Sequence, residues 1–124
     1  LNVHEGPQNI RWKYVEGSRE AILKPGMTLT DEPGVYRAGK FGIRTENTLV
    51  VVEGETTEDG HFYKFENLTW VPVDMDLVDI SLLSPNEVQA LKSYHEMVYE
   101  KLEGHVSEEV TEYLEKIVTF VKNV

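Results

Sequence analysis

The stretch MTLTDEPGVYRAGKFGIRTENTLVVV, residues 27–52, decides how this chain is read. After the turn pair Pro25-Gly26, Met27-Thr28-Leu29-Thr30 alternates apolar and polar, as a strand with one covered face does. Pro33-Gly34 interrupts it, and Gly39 and Gly42 bound a second loop. From Ile43 to Val52 runs the strongest strand pattern of the chain, closing on Leu49-Val50-Val51-Val52. Alternation puts Arg44 and Glu46 on one face of that strand and Ile43, Thr45 and Asn47 on the other. An arginine beside a carboxylate keeps it ionised and fixes its orientation. Glu32 ends the preceding strand. If the two strands pair antiparallel through the 33–42 connection, Glu32 and Glu46 approach each other. Two carboxylates on rigid strands suit a divalent cation. An exposed face carrying an ordinary ion pair accounts for the same residues, and spacing alone does not choose between them.

Outward from this stretch the chain has two textures. Residues 1–83 are rich in Gly, Pro, Thr and Val, with short apolar runs between turn residues, and read as the sheet portion. Asn9 to Val15 is a further strand candidate, and residues 18–23 a turn or edge strand. Glu53 to Lys64 reads as an acidic surface loop. Leu68-Thr69-Trp70-Val71 reads as a short strand stopped by Pro72. Trp70, Phe62, Tyr63 and the Leu82-Leu83 pair read as core or packing surface.

Residues 84–124 read as a helical extension. Ser84-Pro85-Asn86-Glu87 combines a capping serine, a proline at the first helical position and a glutamate that closes a capping box. Val88, Leu91, Tyr94, Val98 and Leu102 share one face, and Gly104 ends the helix. Ser107 opens a second helix, with Glu108 and Glu109 at the positive end of its dipole. Its stripe is Val110, Leu114, Ile117, Val118 and Val121. Two amphipathic helices form a hairpin that must pack on the sheet or on a partner.

Composition narrows the function. Among 124 residues, Lys+Arg is 12 and Asp+Glu is 22, a formal charge of -10. A phosphate backbone is repelled by such a chain, so nucleic acid is not expected as a partner. No apolar run approaches the roughly 20 residues of a membrane span. With no cysteine, neither disulfide nor zinc-thiolate chemistry is available, which fits a reducing compartment. LNVHEGP has neither the basic start nor the apolar core of a signal peptide, and no initiator Met, so the chain reads as cut from a longer one. Of the four histidines, His4 sits in a loop fixed by Gly6-Pro7 and is the candidate for chemistry. His61 and His105 read as solvated, and His95 as a helix flank.

Val3-His4-Glu5-Gly6-Pro7, Leu23-Lys24-Pro25-Gly26-Met27 with Thr30-Asp31-Glu32-Pro33-Gly34-Val35-Tyr36, and Phe41-Gly42-Ile43-Arg44-Thr45-Glu46-Asn47 occur in an order and at a spacing that resemble the X-Pro aminopeptidases. The likeness is to the C-terminal part of their catalytic domain, of the creatinase/aminopeptidase "pita-bread" fold. It continues through Leu68–Asp74, Leu77-Val78-Asp79 and Leu82-Leu83-Ser84 to Tyr94-His95, and thins after residue 105. The HEGP, EPG and GIR-x-EN blocks together are specific. The long extension resembles the large, three-domain form of the enzyme.

The resemblance implies an α+β fold, a curved antiparallel sheet followed by a C-terminal helical hairpin. It implies a metalloaminopeptidase that releases the N-terminal residue of peptides with proline in second position. Two divalent metal ions, usually manganese, are implied, with Glu32 as a terminal ligand and Glu46 as the ligand bridging both. His4 resembles the histidine that contacts substrate near the scissile bond, while Arg44 and Tyr36 resemble groups that orient the acidic ligands. The family's remaining ligands, two Asp and one His, lie upstream of Leu1, so the chain alone is expected to be inactive. A cytoplasmic enzyme and a homodimer are the implied setting. Thr45 replaces the family's usual Ile, and Ala90 replaces a Trp of relatives. The alternatives are a non-catalytic pita-bread module for peptide binding or dimerisation, and a creatinase-like enzyme, against which the retention of both glutamates argues.

Overall fold

Pro33 carries no amide hydrogen, and the strand ladder breaks where it falls. The computed structural model of the chain describes Gly6, Glu16 and residues 21–124. The Asn9–Val15 strand candidate, His4, and residues 18–20 lie outside the described residues. Strand β1 (Thr28–Asp31) pairs antiparallel with β4 (Asn47–Thr57), Thr28 opposite Val50 and Asp31 opposite Asn47. Between them, β2 (Gly34–Arg37) pairs with β3 (Phe41–Arg44), Gly34 opposite Arg44 and Arg37 opposite Phe41. The first register, carried on by two steps, runs into the second. The two pairings are one antiparallel ribbon, interrupted at Glu32-Pro33 and Thr45-Glu46, where the Thr45 amide still donates to the Pro33 carbonyl at 3.2 Å. The single strand expected from Ile43 to Val52 is therefore two, because its partner strand lacks a donor at proline.

The β4 strand continues beyond Val52. It pairs with β5 (Gly60–Asn67), from Leu49 opposite Asn67 to Thr57 opposite Gly60, with a bulge between Glu53 and Thr56. Glu53–Lys64 is thus a hairpin and not a loop. Acidic side chains on alternate, exposed positions cost the ladder nothing, because its hydrogen bonds use backbone groups. Leu68–Val71 is not a strand; the Leu68 amide donates to the Thr48 carbonyl at 2.8 Å and the pairing stops there. Along β4, Val51 is buried on the face it shares with Leu49, and the opposite face carries Thr48 and Val50.

Residues 1–69 and 70–124 form two compact units. In the second, one-turn helices at Met75–Leu77 and Ile80–Leu82 are capped by Asp74 and Asp79. Helix α1 (Pro85–Leu102) begins with the capping box expected from the sequence. The Ser84 amide donates to Glu87 Oε2 at 2.7 Å, and the Glu87 amide returns to Ser84 Oγ at 3.4 Å. The Ser84 hydroxyl also donates to Glu87 Oε2 at 2.7 Å, and it, followed by the Ser84 amide, holds the Glu87 carboxyl below the usual carboxylate range. The chain leaves α1 through Gly104 at φ +77°, and α2 (Glu108–Lys122) is capped by Ser107. Val98, Leu114 and Val121 are buried between them, whereas Val110, in the first turn of α2, is exposed. His95 is buried with them: its Nδ1 lies 2.8 Å from the Leu91 carbonyl and its Nε2 3.3 Å from the Val73 carbonyl. It is not a flank residue. Trp70, Phe62, Tyr63 and Leu82 are exposed surface, with Lys101 Nζ 5.5 Å above the Trp70 ring.

Candidate metal centre

Two glutamates flank the interruption in the ribbon, Glu32 just after β1 and Glu46 just before β4. The register extended from β1 and β4 sets them opposite each other, on the face that carries Thr30, Gly34, Tyr36, Gly42 and Arg44. Arg44 lies between the carboxylates. Its Nε is 2.9 Å from Glu46 Oε2 and 3.7 Å from Glu32 Oε2. The Glu32 side chain is the most covered of the three at 23% exposure, against 39% for Glu46 and 49% for Arg44. Thr30 Oγ1 donates to Glu32 Oε1 at 2.7 Å, so Glu32 is held from both sides.

The Arg44 guanidinium is raised above its ordinary range, first by its hydrogen bond with Tyr36, then by the charge of Glu46, with Tyr36 and Glu32 adding to it. A guanidinium fixed in this way orients the two neighbouring carboxylates, and two carboxylates on one rigid ribbon supply hard oxygen donors to a divalent cation. The donor set fits a metal and does not complete one. Among the described residues no three His, Cys, Asp or Glu side chains group as a metal cage.

Glu32, Glu46, Arg44 and Tyr36 are therefore brought to one face, and His4 falls outside the described residues. Thr30 was not singled out from sequence, although its place two residues before Glu32 in a strand puts both on one face. His61 is not simply solvated, since it meets Thr56 Oγ1 at 2.7 Å and pairs with Glu53. His105 is exposed.

An antiparallel ribbon that presents paired carboxylates and their arginine on one face, followed in the chain by a helical hairpin, has the architecture of a metallopeptidase catalytic-domain segment. Comparison with known proteins agrees along the chain. Metallopeptidase family M24 matches residues 1–53, and the C-terminal region of peptidase M24 matches residues 61–119. The chain belongs to metallopeptidase family M24. It is 42% identical over 120 residues to aminopeptidase P1 of Lotus japonicus, covering 94% of this chain and 18% of that protein. It is 45% identical over 109 residues to the probable Xaa-Pro aminopeptidase P of Tuber melanosporum, covering 84% and 17%. The crystal structure of X-prolyl aminopeptidase from Caenorhabditis elegans, described as a cytosolic enzyme with a di-nuclear active site, superposes with a TM-score of 0.72. That pair is 35% identical, over 95% of this chain and 19% of the other. The fold is α+β of the pita-bread type, and the chain spans under a fifth of the length of the relatives it matches.

Proposed function

We propose that the chain forms one wall of the two-metal centre of an Xaa-Pro aminopeptidase, which releases the first residue of peptides whose second residue is proline. The observation that carries this is the Glu32–Arg44–Glu46 cluster on one face of the ribbon, built from the EPG and GIR-x-EN blocks. Glu32 serves as the terminal ligand and Glu46 as the ligand shared by both ions. Arg44 spaces the two carboxylates, and Tyr36 holds Arg44. His4 contacts the substrate beside the bond to be cut and moves a proton there. The ions, manganese in this reading, supply an activated water and polarise the peptide carbonyl when bound. The described residues supply two of the donors and no complete cage, so residues 1–124 alone are expected not to hydrolyse X-Pro peptides.

The setting we infer is a cytoplasmic homodimer. The C. elegans relative is described as cytosolic, and none of the described helices is long and apolar enough to cross a membrane. The test is made on the intact protein. Metal content by mass spectrometry should be two per chain, with release of the first residue from X-Pro peptides. Glu46→Ala should abolish that release and lower metal content. His4→Ala should keep both ions and lose rate. Full activity in Glu46→Ala sinks the assignment.

A further inference from the structure

Two glycines lie under the site. Gly42 is the register partner of Tyr36, and Gly34 that of Arg44. Neither is among the positive-φ glycines, which in the described residues are Gly26, Gly39, Gly60 and Gly104. Their backbones therefore tolerate any residue. What a side chain would meet is Tyr36. A Cβ on Gly34 would fall 2.7 Å from the Tyr36 Oη, 2.8 Å from Cε2 and 2.9 Å from Cζ. A Cβ on Gly42 would fall 2.7 Å from the Tyr36 Cδ1 and 3.1 Å from Cε1. The Tyr36 ring occupies, over both backbones, the space where side chains would stand. The Tyr36 side chain as a whole remains exposed.

We propose that Gly34 and Gly42 are positioning residues of the metal centre: they form the floor that seats Tyr36 against Arg44, and through Arg44 set the spacing of Glu32 and Glu46. This rests on the function proposed above. The obstructing atoms at both positions are ring and hydroxyl atoms of the Tyr36 side chain, not backbone. Alanine at either glycine therefore displaces the ring and leaves the ribbon folded. Displacing the ring takes away the phenol oxygen that accepts from the guanidinium, and Arg44 is then held only by the carboxylates it should be orienting. A glycine kept for backbone reasons behaves otherwise, because its substitution costs the same whatever stands at position 36.

The experiment is a double-mutant cycle on the intact protein, with Gly42→Ala and Gly34→Ala each made alone and in a Tyr36→Ala background. Two quantities are read: Mn2+ affinity by titration calorimetry, and the Arg44 Nε–H resonance in protein labelled with 15N-arginine. Each glycine substitution alone should weaken Mn2+ binding about ten-fold and shift the Arg44 signal, with thermal unfolding unchanged. Added to Tyr36→Ala, it should change affinity by less than about two-fold and leave the Arg44 signal where Tyr36→Ala put it. Equal losses in the two backgrounds overturn the proposal, as does an unmoved Arg44 signal in the single variants. Failure of the unmutated protein to bind Mn2+ overturns the metal reading instead, and the Arg44 resonance then decides the glycine floor by itself. Should one glycine variant unfold, the other position, which meets a different part of the same ring, carries the cycle.

Discussion

Replacing His95 tests the helical unit most directly, because it is the one buried polar side chain among the described residues, at 2% exposure. Its two ring nitrogens face two carbonyls, Leu91 one turn back on α1 and Val73 in the segment before the helices. His95→Ala removes both contacts. The neutral ring has one N–H to donate, so one hydrogen bond, worth about 1 kcal/mol net, is lost with it. The vacated ring volume adds about 1–2 kcal/mol in a core this small, where little can collapse inward. About 2–3 kcal/mol is then lost locally, which corresponds to roughly 30- to 100-fold faster amide exchange if opening is limited to this region. Hydrogen–deuterium exchange on the intact protein, followed in peptides covering residues 70–74 and 91–98, reads that number. His95→Phe restores the volume without the hydrogen bond and should recover only part of the protection. Exchange within about three-fold of the unmutated protein in both variants would refute the reasoning, since a buried tie between α1 and residue 73 cannot be both real and without consequence.

Arg44→Ala in the intact protein should retain part of its metal and lose about 10–100-fold in turnover, because the carboxylates remain but lose the cation that spaces them; parallel metal analysis and kinetics check this. The Tyr99 hydroxyl is pushed up to about 12, first by its hydrogen bond with Glu103, then by desolvation and the bond with Glu115. Folded protein therefore keeps a proton that unfolded chain releases near 10, so the stability Tyr99 contributes is complete below pH 10 and is lost as pH rises toward 12. Exchange protection of α1 and α2 should fall across that window in the unmutated protein and fall less in Tyr99→Phe. Residues 1–124 prepared alone should show no X-Pro hydrolysis and should self-associate more strongly as salt screens the charge of -10, which light scattering at several ionic strengths measures. Exposed Val35, Phe41, Ile43 and Phe65 supply the apolar contact.

What could be read along the chain is what depends on near neighbours. The capping box of Ser84 and Glu87 closes over three residues, and the ends of both helices follow from Gly104 and Ser107 by local chemistry. Alternation within residues 42–47 places Arg44 and Glu46 on one face before any partner strand is known, and the carboxylate type already limits what could bind there. The approach of Glu32 to Glu46 was conditional on pairing, and only the ribbon's register decides it. The same register turned an expected loop at Glu53–Lys64 into a hairpin, because backbone hydrogen bonds do not depend on which side chains the strand carries. His95 looked like a flank because its decisive partner, the Val73 carbonyl, lies 22 residues away. Gly34 and Gly42 looked like turn punctuation, and only the folded ribbon shows a tyrosine ring in the space their side chains would fill. Local conformations and the chemical character of the site are legible along the chain, since both are set by residues within a turn or a pleat of one another. Tertiary structure decided which of those residues meet, because distance across a ribbon is a property of register and packing and is written at no single position.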